Sequence, residues 1–159
     1  MATLIIKPSD IYQLTSLGGN IDNDSIAPHI YTAQITELKR VLGVPLYNKI
    51  LADYDADTLA GSYLELYQNF IVDLVGYYTA SIFIGFGGYK IENAGIFKAT
   101  AENGQVVDLN ETEIIISRYR QLASNIELTM FEYLKTANIP EYGTDEQSKQ
   151  DNINIIPWY

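Results

Sequence analysis

Apolar residues recur at helical spacing in five stretches of this chain, and the longest sets the plan for the others. From about Leu59 to Phe86, Leu64, Tyr67, Ile71, Leu74 and Tyr78 fall at three- and four-residue steps, the spacing of one helix face. From Phe70 onward the other side is apolar too, through Val72, Val75, Tyr77, Ile82, Phe83 and Ile84. A helix that is apolar all round is buried on all sides or sits in lipid. The run Phe70–Gly88 approaches the roughly 20 apolar residues of a membrane span. It also holds Asp73, Thr79 and Ser81, and its flanks lack the clustered Lys and Arg that fix an orientation. A carboxylate at mid-membrane depth is costly. The pattern therefore predicts the buried central helix of a small bundle. Gly76 inside it costs about 1 kcal/mol against alanine, which points to close approach of another backbone.

The remaining helices are punctuated clearly. Residues 7–17 predict a short first helix, with Pro8 at its start, Ser9 or Asp10 as cap and Gly18-Gly19 at its end. A second helix is expected over 25–42, capped by Asp24 or Ser25, with Pro28 in its first turn and Gly43 as its stop. Tyr31, Ile35, Leu38 and Leu42 form its inward face. Val44–Leu51 restarts at once, so the two helices turn sharply on each other, and the acidic loop Asp53–Asp57 follows. The last long helix opens at Asn110, where Glu113 completes a capping-box pattern, and runs to about Ala137 before Pro140 ends it. Its face reads Ile115, Tyr119, Leu122, Ile126 and Tyr133, broadened by Ile116, Ala123, Met130 and Leu134.

Two stretches break the helical pattern. Residues 95–109 place short apolar runs, Ile96–Thr100 and Val106–Leu109, around Asn103-Gly104, a strong local hairpin signal. An isolated hairpin is marginal in water, so this one needs support from the bundle or a partner. Residues 141–159 have a polar middle and an apolar end, Ile153–Tyr159, which suits a docking strand on a spacer or a segment folded back on its own bundle. The expected fold is mainly α: a small helical bundle around a long apolar central helix, with one β-hairpin arm at 95–109 and an extended C-terminal tail. Residues 1–139 form the domain and 140–159 the tail.

Charge narrows the function. Twenty acidic residues against 10 basic ones give a net charge of −10. Gripping phosphate takes a basic face, and the sequence shows no basic cluster, so a direct hold on nucleic acid is not expected. There are no cysteines, which removes disulfide and thiolate chemistry. The apolar part of the N-terminus is too short for a signal peptide, so an intracellular product is expected. Thirteen tyrosines among few charges suit a protein that buries surface against partners; a codon bias toward Ile, Asn and Tyr gives the same composition.

The candidate chemistry is sparse. His29 has no base or ligand set beside it in sequence and is expected at the surface. Asp53, Asp55 and Asp57 start like a calcium loop, but Thr58 and Leu64 stand where Gly and Glu are needed; Asn20, Asp22 and Asp24 fail in the same way. Gly85–Gly88 lacks the strand and spacing of a dinucleotide loop. Asn110-Glu111-Thr112 matches a glycosylation sequon, which a capping role explains. Asp73 is the one acid in the apolar helix; Arg118 or Arg120 is the expected structural partner. No catalytic residue, metal ligand or cofactor site is expected.

One resemblance goes further. Ala33-Gln34-Ile35 in the second helix, Leu42-Gly43-Val44-Pro45-Leu46-Tyr47 at the sharp junction, the acidic loop, the apolar helix, Asn93-Ala94-Gly95-Ile96 and the closing Phe131-Glu132-Tyr133-Leu134 resemble, in this order, the head-completion or head-to-tail connector proteins of tailed bacteriophages. The resemblance covers roughly residues 7–137. It implies a non-enzymatic subunit of the virion neck, made in the host cytoplasm, forming a homo-oligomeric ring, commonly a dodecamer. Such a ring bridges the portal protein to other neck and tail proteins, helps retain packaged DNA and lets DNA pass its lumen without sequence-specific binding; the tail is where portal contact is expected. A ring needs two different adhesive surfaces on each subunit. The candidates are Ile96, Phe97, Val106 and Val107 of the hairpin, and Ile153, Ile155, Ile156, Trp158 and Tyr159 of the tail. The competing readings are a small helical enzyme or ligand-binding protein, using a cleft beside Gly76 and Asp73, and a peripheral membrane or immunity-type protein.

Overall fold

The computed structural model describes residues 3–18, 21–87, 89–92, 95–98 and 109–143. In chain order its elements are α1 (Pro8–Leu14), α2 (Asn23–Ala33), a π-helical turn at Gln34–Leu38, α3 (Lys39–Leu42), α4 (Val44–Asp55), α5 (Gly61–Leu66), a second π-helical turn at Tyr67–Ile71, α6 (Val72–Gly87), β1 (Tyr89–Glu92), β2 (Gly95–Lys98) and α7 (Leu109–Thr136). Helix α6 packs along α7 and is flanked by α2 and α1. By length and composition Gly61–Phe86 could also cross a membrane. Here Leu66, Ile71, Leu74 and Val75 lie in the core, while Phe86 at its far end is 64% exposed.

A mainly helical bundle is found, but among the described residues the hairpin arm expected over residues 95–109 is not. Gly95–Lys98 pairs backwards, antiparallel, with Tyr89–Glu92; Ile96 stands opposite Ile91 and Phe97 opposite Lys90. Only Asn93 and Ala94 separate these two runs in sequence, so closing this loop costs less entropy than closing one around Asn103-Gly104. Leu109, expected in a strand, starts α7 instead. Residues 99–108, with Val106 and Val107, and the tail from 144 onward, with Ile153, Ile155, Ile156, Trp158 and Tyr159, lie outside the described residues, as do the side chains of Ile96 and Phe97.

The two π-turns correct the expected helix faces. In an α-helix a five-residue step lands about 140° away from its starting direction. Leu66 and Ile71 are five apart, yet both are fully buried, because the turn between them holds an extra residue. The same device works earlier. Ile30, Gln34, Leu38 and Leu42 all point inward at four-residue steps; each such step overshoots an α-helical turn by about 40°, and the wide turn at Gln34–Leu38 absorbs the excess. Tyr31 and Ile35, expected inside, are therefore each 40% exposed. Asp22, rather than Asp24 or Ser25, caps α2, its side chain accepting the Asp24 amide at 3.2 Å. Pro28 thus lies inside the helix, not in its first turn.

What the periodicity misses is the chain before the first helix. Ile5 and Ile6 are fully buried, in a segment with no helix or strand to satisfy its backbone. Side chains do so instead. The Ile5 amide donates to Gln34 Oε1 at 2.9 Å, and the Tyr67 hydroxyl donates to the Ile5 carbonyl at 3.0 Å. Gln34 Nε2 donates to the Thr3 carbonyl and to the Tyr47 hydroxyl oxygen, each at 3.0 Å. Gln34 and Tyr67 are the first residues of the two π-turns.

Two substitutions test this arrangement. Leu74→Ala is expected to destabilise by about 2–5 kcal/mol, the cost of a buried leucine truncation, read as a lowered midpoint in urea. Gln34→Leu keeps apolar bulk but leaves the buried Ile5 amide without an acceptor, which costs about 1–3 kcal/mol. Loss of protection of the Ile5 amide in hydrogen exchange should accompany it; unchanged protection would mean that Gln34 is dispensable to the N-terminal segment.

Candidate functional site

The acids and hydroxyls of the bundle are mostly occupied in holding elements together. Arg40 at the end of the second helical run reaches Glu127 on α7 at 2.7 Å and Glu37 at 3.0 Å. The Tyr78 hydroxyl on α6 donates to the same Glu127 at 2.6 Å. Burial works against the Arg40 charge, but the two carboxylates outweigh it and hold its pKa above the ordinary value. Burial and then the Glu127 hydrogen bond push the Tyr78 hydroxyl up. This knot ties α7 and α6 to the second helical run. At the other end of α7, the Tyr63 hydroxyl donates to Glu141 at 2.6 Å, which, ahead of burial, pushes its pKa up to about 12. The same bond fixes the chain after α7, where Ile139 is buried, against the start of α5.

The residues singled out from the sequence divide differently. His29 is not a simple surface side chain: it is half-buried, edge-on to Phe83 at 5.4 Å and stacked with Phe86 at 5.9 Å, and burial lowers its pKa. Gly76 is approached by a side chain rather than a backbone. A methyl group there would lie 2.9 Å from Leu14 Cδ1 of α1, so the space expected to open as a cleft is filled. Asp53 accepts both of its close contacts from Lys49, at 2.8 and 2.7 Å, and Asp55 accepts from the Thr3 hydroxyl at 3.0 Å. No group of three or more His, Cys, Asp or Glu side chains placed to hold a metal ion occurs among the described residues.

Asp73 is half-buried, and neither Arg118 nor Arg120 pairs with it among the described ion pairs. Both arginines are exposed on α7. Burial pushes the Asp73 carboxyl above the usual carboxylate range. Its charge in turn raises Tyr77, after burial, and Tyr77 stacks on Tyr119 with centroids 6.3 Å apart. Tyr119 accepts the Ser16 amide at 3.0 Å and shares a 2.7 Å hydroxyl contact with Ser16 Oγ, joining the chain after α1 to α7.

Among the described residues, α7 carries several exposed apolar side chains. Tyr119, Ala123, Met130 and Leu134 are its buried stripe, so the inward face is rotated from the expected one. Ile115 and Leu122, expected inside, are 37% and 44% exposed, and Ile114 is 53% exposed. Ile114 also lines a shallow depression of ≈ 570 Å³, open to solvent, together with Asn110, Glu113, Ser117 and Arg118. The signal for this lay in Ile114-Ile115-Ile116: at about 100° per residue, three successive isoleucines cannot all face one neighbour. Asn110 falls inside α7, whose cap position lies outside the described residues.

The raised carboxyl of Asp73 gives a pH dependence with a definite sign. Its folded-state pKa lies above its unfolded value, so the protonated form is the one favoured by folding. That contribution is fully present below the unfolded carboxylate value of about 3.9 and is lost as pH rises through the folded value. Asp73→Asn is therefore expected to raise stability near neutrality, with the difference from the parent chain vanishing in acid. Paired urea titrations across that range measure it; a variant less stable at pH 7 would show the carboxylate to be favourably placed.

Comparison with known proteins returns a family model, DUF6712, described as a family of unknown function, matching residues 38–152. No curated protein and no solved structure matches the chain.

Proposed function

This chain belongs to the DUF6712 family of unknown function, and from that premise we propose that it is a structural subunit of the neck of a tailed phage. Copies assemble into a ring between portal and tail and help retain the packaged DNA. The observation that carries this reading is the exposed apolar face of α7, Ile114, Ile115 and Leu122, on a chain of net charge −10. Exposed apolar side chains grouped on one helix of a folded domain suit contact with a protein partner. An acidic surface around a channel repels phosphate, so DNA moves past it without adhering. The order of short motifs that resembles head-completion proteins supplies the identity of the assembly.

A ligand-binding or enzymatic reading needs an enclosed pocket with convergent polar groups. At the place where the sequence suggested one, Leu14 lies against Gly76, so no observation favours that reading here.

The neck reading is tested in particles. Purified virions are expected to contain the protein in ring stoichiometry, and particles assembled without its gene are expected to package DNA and then lose it, read as nuclease-sensitive genome after packaging. Its absence from purified virions, or stable infectious particles without it, would overturn the assignment.

A further inference from the structure

The Thr3–Ile6 segment is held as a ligand is held. It has no helix or strand of its own, and its hydrogen bonds among the described residues cross to other elements. Gln34 contacts it at two points: Oε1 accepts from the Ile5 amide at 2.9 Å and Nε2 donates to the Thr3 carbonyl at 3.0 Å. One side-chain amide thus offers the segment the donor and the acceptor that a peptide group of another chain would offer. The Tyr67 hydroxyl donates to the Ile5 carbonyl at 3.0 Å, and the Thr3 hydroxyl donates to Asp55 at 3.0 Å. Three of these four bonds go to main chain, which does not depend on residue type. Ile5 and Ile6, both fully buried, add the side-chain selection.

The groups that contact the segment keep partners of their own without it. Gln34 Nε2 also donates to the Tyr47 hydroxyl oxygen at 3.0 Å, and the Tyr67 ring lies against that of Tyr54 with centroids 5.4 Å apart. The join to the domain is equally separate. Lys7 has φ −96° and ψ 154°, the extended backbone that a following proline favours. Its amide donates to Asp10 of α1 at 2.8 Å, and the Asp10 amide donates to the Lys7 carbonyl at 3.0 Å. Neither contact uses residues 3–6, so the segment can leave its recess while α1 keeps its capped start. The bonds that the recess offers are the same whichever chain supplies the segment.

We infer that the recess formed around Gln34 and Tyr67 is a peptide-binding site whose resident ligand is the chain's own Thr3–Ile6 segment, and that it takes the same segment from a second copy when its own is withdrawn. The ligand it selects is a short stretch of main chain with a carbonyl and an amide two residues apart, followed by a second branched apolar side chain. The inference does not rest on the neck reading, and it is tested on the purified chain.

Two full-length variants divide the site. Ile5→Asp withdraws the segment and keeps the recess; Gln34→Leu damages the recess and keeps the segment. Mixed, the two chains are expected to form a complex in sedimentation, tighter by about 10-fold or more than either forms with itself, the scale of a lost buried hydrogen bond. A labelled peptide of residues 1–7, MATLIIK, is expected to bind the Ile5→Asp chain. It should bind the parent chain at least about 10-fold more weakly, because the tethered segment competes at an effective concentration of the order of mM. The same peptide carrying Ile5→Asp should not bind. A folded Ile5→Asp chain that fails to bind either the peptide or the Gln34→Leu chain would overturn the inference, as would equal binding of the two peptides. If Ile5→Asp loses its circular dichroism, hydrogen exchange of the parent chain decides. The Ile5 amide is expected to exchange through a smaller opening than the Leu74 amide of α6. Equal protection at both would mean that the segment leaves only when the domain unfolds, and would overturn the inference.

Discussion

A buried stretch of backbone outside any helix or sheet must still satisfy its amides and carbonyls, and the segment Thr3–Ile6 imposes that requirement on the rest of this fold. Ile5 and Ile6 bring two large side chains into the core with no exposure. Their burial is favourable by about 1.5–3 kcal/mol each, a gain that unpaired polar groups of the same segment could cancel. Gln34 and Tyr67 prevent that cancellation. Gln34 is itself nearly fully buried, and its amide finds partners on three sides, which makes a costly polar group into a register mark between the N-terminal segment and Tyr47 on α4.

The π-turns follow from the same constraint. Each starts at a residue that bonds the N-terminal segment, and each lets the helix that carries it present apolar residues at spacings an α-helix would rotate away. A π-turn is a weaker local structure than the α-turn it replaces, and it persists where tertiary contacts reward it. Here the reward is a core face made of Leu38 and Leu42 on one helix and Leu66, Ile71 and Leu74 on the other. The helices and the segment are thus mutually dependent: an ideal α-helical register at either turn would turn Gln34 or Tyr67 off its partner.

Much of the helical plan is legible in the sequence, because the breaks are chemical. Gly43 ends α3 at φ 76°, a conformation that suits glycine, and Pro45 restarts the chain in the first turn of α4. The faces are less legible. Reading Tyr31, Ile35, Leu38 and Leu42 as one stripe assumes an unbroken 3.6-residue period, and the wide turn at Gln34 invalidates it. The same assumption rotates the face of α7 without any π-turn, since Ile115 and Leu122 fit a helical stripe as well as Ala123 and Met130 do, and only the neighbouring α6 selects between them. The Asn103-Gly104 signal points to the wrong partner for Gly95–Lys98, because a shorter closure is available at Asn93-Ala94. His29 shows the remaining difficulty: its aromatic neighbours Phe83 and Phe86 lie far along the chain, and nothing local announces them.

Charge and apolar exposure act at different ranges on this surface. Copies of a chain with net charge −10 repel one another, but at physiological ionic strength that repulsion decays over about 8 Å, whereas contact between apolar side chains acts at van der Waals distance. Association is then disfavoured unless a geometry brings apolar area together while keeping most carboxylates apart. Around Ile114 the balance is local, since both Glu113 and Arg118 line the same depression. The Arg40–Glu127–Tyr78 knot meanwhile keeps α7 in one rotation against α6. The Tyr119–Ser16 and Tyr133–Ser62 contacts and the buried stripe of Tyr119, Ala123, Met130 and Leu134 hold the same rotation, which leaves Ile114 and Ile115 exposed.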